Sequence, residues 1–318
     1  MSDLVTAPLP VPARPAVDAA LRAAAAAARA SGVRIRELAE LDDLQRLCAL
    51  VDDIWHPQLG NPPVTAEFLR ALAHSGNYVA GAFAGDEMVG ACVGFFASPA
   101  ARAMHSHIAG ASARLLGRHV GFALKLHQRA WALDRGVTMI AWTFDPLVSR
   151  NAYFNLAKLA AVPAEYLPDF YGAMDDEINT GDDSDRLLVH WPLADETVAR
   201  ACAGISAAVD AAALRAGGAV TALDMGPGGQ PVPGPAGSGP GDSGTGTLLV
   251  RVPLDIEAER REHAAAARGW RRAVRDVLGG LMADGGRVTG FDRSGWYVVQ
   301  RGPVTRRAAE GPTRKATS

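Results

Sequence analysis

The chain has 318 residues, long for one small domain and short for three, and 48% of them are hydrophobic, enough for a sizeable core. Global disorder is therefore excluded, and with no uncharged apolar run of about eighteen residues a membrane-spanning helix is not expected. The formal net charge of −2 gives no reason to expect nucleic acid or an acidic membrane as a partner.

Residues 1–30 are rich in Ala and Pro and lack the basic and apolar opening of a secretory signal, so they read as a disordered or loosely helical arm. From Val33 to Glu37 the pattern alternates as in a strand. Asp42–Asp53 carries Leu44, Leu47, Cys48 and Val51 at helical spacing, with Asp42 or Asp43 as its cap. Ala66–His74 is a second short helix. Two apolar runs, Tyr78–Phe83 and Met88–Phe96, flank Gly85-Asp86-Glu87 as a β-hairpin.

Ile108–Ala111 continues as a strand after His105 and His107, and Gly121–Arg135 forms a helix that stops at Gly136. Val137–Phe144 is a near-continuous apolar strand ended by Asp145-Pro146, followed by a helix over Leu147–Ala161. Strands near Ala164–Phe170 and Arg186–Trp191 close this unit by about Leu193. The order of elements indicates a mixed α/β architecture.

Thr197–Ala216 is an Ala-rich helix. In Gly226–Gly246 fourteen of the twenty-one residues are Gly or Pro, which reads as a flexible tether. Beyond it, Thr247–Pro253, Ile256–Met282, Arg287–Phe291 and Trp296–Gln300 make a small β-α-β-β unit. The expected division is thus an arm over 1–30, a main domain over 31–194, a helix and linker over 195–247, a small unit over 248–302 and a disordered tail over 303–318.

Three widely spaced cysteines, Cys48, Cys92 and Cys202, argue against a disulfide framework and suit a reducing cytoplasm. They read as small core residues. Lysine occurs only at Lys125, Lys158 and Lys315, so nearly all basic residues are Arg, which GC-rich codon usage explains better than phosphate recognition. The Arg-rich helix from Arg260 to Arg275, together with Arg150, Arg186 and Asp182, Asp183 and Asp185, reads as a solvated, ion-paired face. Trp142 reads as core.

The stretch from His105 to Ala161 carries the chemistry. A strand runs into Leu116-Gly117-Arg118-His119-Val120-Gly121 and a helix begins at once; free amides and the positive dipole at a helix start suit an anion such as a pyrophosphate. Arg118 is positioned to add a charged contact. Alternation puts His105 and His107 on one face, where catalytic, structural and metal-binding roles stay open, although no Cys/His/carboxylate set accompanies them. Asp145 either orients a substrate amine or caps the next helix. Asn151 and Asn155, one helical turn apart, are placed to reach a ligand.

Ile108–Gly121 and the following helix resemble the acyl-CoA-binding motif of the GNAT acetyltransferase superfamily, (Arg/Gln)-x-x-Gly-x-(Gly/Ala). Trp142-Thr143-Phe144-Asp145-Pro146-Leu147, Arg150-Asn151-Ala152-Tyr153-Phe154-Asn155-Leu156 and Lys158-Leu159 resemble one branch of predicted GNAT acetyltransferases with a small C-terminal extension. Phe170-Tyr171-Gly172, Asn179, Ser184-Asp185-Arg186, Trp270-Arg271, Arg275 and Gly290-Phe291 extend the resemblance.

The resemblance implies a mainly antiparallel central sheet flanked by helices, acetyl-CoA as co-substrate without a metal, and a small-molecule amine as acceptor. It places CoA along Ala109, Gly110 and Ala111 and then over Leu116, Gly117, Arg118, His119, Val120, Gly121 and Phe122, with Asn151 and Asn155 beside it. His107 and Asp145 become candidate bases. Three positions depart from the pattern: Leu116 stands at the Arg/Gln position, His119 replaces the central Gly, and Leu156 fills the slot of a Tyr that protonates the departing thiolate. Tyr153, three residues earlier, is the candidate substitute. Two readings follow: an acyl-CoA-dependent N-acyltransferase, or a catalytically weakened GNAT-fold module that binds CoA or another small ligand. A homodimer is left open.

Overall fold

The computed structural model describes residues 13–56, 62–98, 101–172, 182–206, 209–234 and 246–301. Its larger layer is a seven-stranded sheet in the order β1-β2-β3-β4-β5-β7-β6. These strands are Arg34–Glu37, Tyr78–Ala84, Glu87–Phe96, Ala103–Ala111, Met139–Phe144, Val162–Leu167 and Arg186–Pro192, numbered β1 to β7 along the chain. Every neighbouring pair is antiparallel except β4 and β5. The architecture is therefore mixed α/β with a mainly antiparallel sheet, as the element order implies.

Helices cover both faces. On one side α2 (Leu41–Trp55) and α3 (Ala66–His74) bury Leu44, Leu47 and Leu69 against Val79, Phe83, Val93 and Ile108. On the other, α4 (Val120–Asp134) buries Val120, Leu124 and Trp131 against Tyr78, Cys92, Met104 and Ile140. Full burial of each such side chain is worth about 1.5–3 kcal/mol, so the two faces fix the sheet firmly.

Of the disordered or loosely helical arm expected, the described part is a packed helix. From Arg14 to Ala30 it is a helix, α1, whose Val17, Ala20 and Ala24 are buried in the α4 core. Their spacing of three and four makes one stripe, and alanines let two helices approach closely. An Arg14–Asp134 ion pair at 3.5 Å ties the two helices further. Asp42 and Asp43 lie inside the first turn of α2 rather than capping it, where they complement the helix dipole.

A second sheet of five strands, in the order β11-β12-β10-β8-β9, forms the C-terminal unit. It uses β8 (Val220–Met225), β9 (Pro231–Pro233), β10 (Thr247–Arg251), β11 (Arg287–Asp292) and β12 (Trp296–Gln300). The β-α-β-β expectation thus omitted two strands, because β8 and β9 lie where a linker was read. β8 runs parallel to β10 and is an inner strand. Trp270 donates its indole N–H to the Gly229 carbonyl at 2.9 Å, fixing the β8–β9 turn inside the Gly/Pro-rich stretch. Residues 235–245 of that stretch, Asn179 and the tail from 303 lie outside the described residues.

The expected helix over Thr197–Ala216 is two, α6 (Glu196–Cys202) and α7 (Ala211–Ala216), capped by Asp195 and Asp210. The long Arg-rich helix is also divided. α8 (Ile256–Glu262) ends at His263, and α9 (Ala264–Val274) continues through a π-helical turn at Arg275–Gly279 into α10 (Gly280–Ala283). No helix among the described residues is long and apolar enough to cross a membrane.

Candidate active site at the fork between β4 and β5

β4 and β5 pair over only three positions, Ala103 with Met139, Met104 with Ile140 and His105 with Ala141. Beyond these the strands part, although β4 runs on to Ala111 and β5 to Phe144. The pairing with β3 shifts register at this point, so that His107 is the extra residue of a β-bulge. The sheet is thereby split into a fork whose first unpaired residues are Ser106 and Trp142. On its other edge β4 keeps Ala109, Gly110 and Ala111 paired with Cys92, Ala91 and Gly90 of β3. Gly110 is a required glycine, since a Cβ there would run into the Trp55 ring at the end of α2.

The N-terminus of α4 stands beside this fork. A short 3₁₀ turn, Ala113–Leu115, is capped by Ser112, and the chain then passes through Gly117 at φ +85° and His119 at φ +61°. Among the described residues, the amides of Gly117, His119, Val120, Gly121 and Phe122 donate to no carbonyl or side chain. A cluster of free amides at a helix start is an anion cradle. Gly121 opens onto empty space, and Leu116 projects into solvent at 89% exposure, so it does not approach a ligand as an Arg would. The Arg118 guanidinium is turned toward the Gly32 turn after α1, not over the cradle, because Gly32 leaves room for it there.

A family profile described as an acetyltransferase (GNAT) domain matches residues 17–153, from α1 through the fork to the turn after β5. The match makes this stretch, somewhat under half of the chain, similar to a GNAT acetyltransferase domain. Solved structures that resemble the chain include the ribosomal-protein-S18-alanine N-acetyltransferase of Escherichia coli. It has 12% identity and a TM-score of 0.40, over 51% of this chain and 94% of that one. Others are the ribosomal-protein-alanine N-acetyltransferase of Brucella melitensis (17%, 0.41, 49% and 98%) and Ard1 of Thermoplasma volcanium (18%, 0.38, 50% and 96%). No curated protein matches the sequence.

On the side of the GNAT sheet away from α4, the fork is flanked by His105, His107 and Phe95, whose rings lie 5.2–6.0 Å apart. Burial, and for His105 also His107 and Lys125, push both imidazoles below their ordinary range, so both are neutral at pH 7. Across Ala141 the register continues from His105 to His190 on β7, which burial likewise keeps neutral. Thr143, two residues on from Ala141, meets the Tyr171 hydroxyl at 3.2 Å. This half-open face presents neutral proton acceptors beside the fork. Among the described residues no three His, Cys, Asp or Glu side chains converge as metal ligands would.

Asp145 is not available as a base. Its carboxylate takes two hydrogen bonds from Arg271 at 2.8 Å, one from Arg260 at 2.6 Å and one from the Leu147 amide at 2.9 Å. Although burial opposes ionisation, the Arg271 and Arg260 guanidiniums hold the carboxyl far below the usual carboxylate range. The Arg-rich face expected in solvent is therefore a buried network, with Arg271 2% exposed and Asp185 fully covered. Arg275 reaches Asp183 and Asp185, Arg260 and Arg271 share Asp182, and Tyr297 donates to the Pro146 carbonyl at 2.8 Å. Arg150 pairs with Glu257. These contacts dock the C-terminal unit onto the end of β5.

The helix expected over Leu147–Ala161 is one short turn, α5 (Ser149–Ala152), running into a π-helical turn, Tyr153–Lys158. Its residues scatter. Asn151 is exposed, whereas Asn155 is buried and accepts the Trp142 indole N–H at 3.2 Å, so it orients that ring at the fork. Tyr153 lies between Lys158 and Arg293 of the β11–β12 turn, facing the C-terminal unit. Leu156 is buried core.

Two residues of the GNAT domain's surroundings escaped the sequence. His190 sits in an apolar strand with no local mark, and only the register places it beside His105. Lys125 lies on the apolar face of α4; its signal was rarity, a lysine in a chain whose basic residues are almost all Arg.

Proposed function

We propose that this protein transfers an acyl group, acetyl in the simplest case, from acyl-CoA to an amine of a small-molecule acceptor by direct attack. The observation that carries this reading is the fork itself: two strands part after three pairs beside a helix start with five unengaged amides. Pyrophosphate suits that cradle, and an extended pantetheine arm suits the unpaired edge of β4 at Ala109–Ala111. Gly117, Val120 and Gly121 supply backbone there and Phe122 flanks it, while Leu116 points away into solvent.

The amine approaches from the half-open face. His107, neutral and displaced by the bulge, accepts the proton that the attacking amine loses. The acceptor carries no feature that the site names more closely than a primary or secondary amine. The cytoplasm is the expected compartment.

Binding is tested by the melting temperature in millimolar acetyl-CoA; a site with micromolar affinity raises it by several degrees, and an unmoved transition rejects CoA binding. Gly121→Trp fills the open cradle and abolishes that rise. Thiol release with a panel of amines tests turnover. His107→Ala lowers it about 10²–10⁴-fold while acetyl-CoA still raises the melting temperature, whereas wild-type rates in that variant remove His107 from the reaction. A melting shift with no thiol release from any amine supports instead the binding module, which the buried Leu156 and the displaced Tyr153 favour.

A further inference from the structure

Lys125 reaches from α4 to the apex of the fork. Its Nζ donates to Ser106 Oγ at 3.1 Å and to Gln128 Oε1 at 2.8 Å, and lies 3.8 Å above the centre of the Trp142 ring. Ser106 and Trp142 are the first residues on each strand past the last β4–β5 pair. The amine thus sits where the two strands begin to separate, touching both, at 2% exposure.

Nothing there neutralises it. Besides Ser106 and Gln128, β3 presents the Cys92 thiol and β5 and β7 the indoles of Trp142 and Trp191, while His105 of β4, on the opposite face, feels the charge only electrostatically. Among the described residues no carboxylate pairs with Lys125. Gln128 Nε2 beside it is buried without a partner. A covered amine where two strands part, lacking a counter-charge and bordered by an unsatisfied amide, is built to meet a group that arrives with negative charge.

We propose that Lys125 is the proton donor to the departing CoA thiolate, the role left open by Leu156. This rests on the acyl-CoA reading above. In the step, the acceptor nitrogen forms a bond to the thioester carbonyl carbon and gives its proton to His107. As the tetrahedral adduct collapses, the C–S bond breaks and its electron pair stays on sulfur. The Lys125 ammonium supplies the proton that makes the free thiol and becomes a neutral amine, which solvent reprotonates through the fork. Burial supports this assignment, pushing the Lys125 amine down to about 8, close to the ordinary range of a thiol.

The decisive experiment follows the thiol of CoA bound to the full-length protein. Its ionisation is read by ultraviolet absorbance across pH, after acetyl-CoA and CoA have been shown to raise the melting temperature. With Lys125 beside it the bound thiol ionises about one pH unit or more below free CoA. Lys125→Met returns it to the free value, and Lys125→Arg keeps the depression yet lowers kcat with KM for acetyl-CoA unchanged, since a guanidinium does not surrender its proton.

Should Lys125→Met fail to fold, the wild type carries the test alone. With only three lysines in the chain, isotope-labelled lysine gives few side-chain resonances, and Lys125→Arg assigns the one from position 125. That signal titrates near 8 in the free protein and moves upward when CoA binds. Identical thiol titration in wild type and Lys125→Met, or a Lys125 resonance indifferent to bound CoA, overturns the proposal while leaving acyl-CoA binding intact. Absence of any CoA-induced melting shift removes the acyl-CoA reading itself.

Discussion

Lys125 and Arg271 are buried equally, each 2% exposed, yet their surroundings are opposites. Arg271 lies between Asp145 and Asp182, whose carboxylates overcome the cost of burial and raise its pKa still further. Lys125 has a hydroxyl, an amide oxygen and two indoles, and burial lowers its pKa. A charge buried for architecture arrives with its partner built in. A charge buried at the fork waits for a partner that the chain does not contain, and that is the difference expected between a dock and a site.

The largest expected effect tests the paired side. Asp145→Ala leaves Arg271 and Arg260 facing each other with one of their two shared carboxylates gone and only Asp182 between them, and costs about 3–5 kcal/mol in chemical denaturation. A loss under about 1 kcal/mol would mean that water or Asp182 replaces the carboxylate readily, and the contrast with Lys125 would collapse. The pH dependence has a definite sign. Because the Asp145 carboxyl is depressed in the folded state, its contribution is present above about pH 4, the ordinary aspartate value, and is lost as pH falls below it.

The unpaired side responds in the opposite direction. Between about 8 and 10.5 the unfolded chain holds the Lys125 proton and the folded protein does not, so wild-type stability rises with pH through that window. Below it, the folded state carries a penalty of up to about 3 kcal/mol. Lys125→Met is therefore expected to stabilise the protein by about 1–3 kcal/mol at neutral pH, less whatever Ser106 and Gln128 lose, and to flatten the alkaline rise. Destabilisation with the rise intact would show that Lys125 is satisfied where it stands.

How legible these two regions were differs for a physical reason. Strands β2 to β5 and helix α4 were readable because their apolar periodicities are local, and the glycine-bounded turn into α4 was readable because helix starts have a chemistry of their own. The docked network was not. Asp145, Asp182, Arg260 and Arg271 are ordinary surface residues along the chain, and they become core only when the C-terminal unit folds onto the end of β5. Helix α1 was read only as a disordered or loosely helical arm for a related reason, since small alanines are a weak core signal until α4 supplies the surface they cover. β8 was hidden by its glycine- and proline-rich neighbours, although Val220–Met225 itself alternates.

The smallest effect concerns His119, which couples the fork's backbone to its function. The sequence marked it as a side chain where the GNAT pattern has glycine. The structure adds that it adopts φ +61°, the left-handed region that glycine enters freely and other residues enter at a cost. Like the unpaired Lys125, it is a local requirement left unmet beside the cradle. His119→Gly removes the strain but adds freedom to the unfolded chain, so the net gain is about 0.5–1 kcal/mol, a small rise in melting temperature. If the side chain merely crowds the anion site, acetyl-CoA also binds more tightly to the variant. Stabilisation together with weaker binding would identify His119 as a ligand contact, held in a strained conformation because the bound phosphate needs it there.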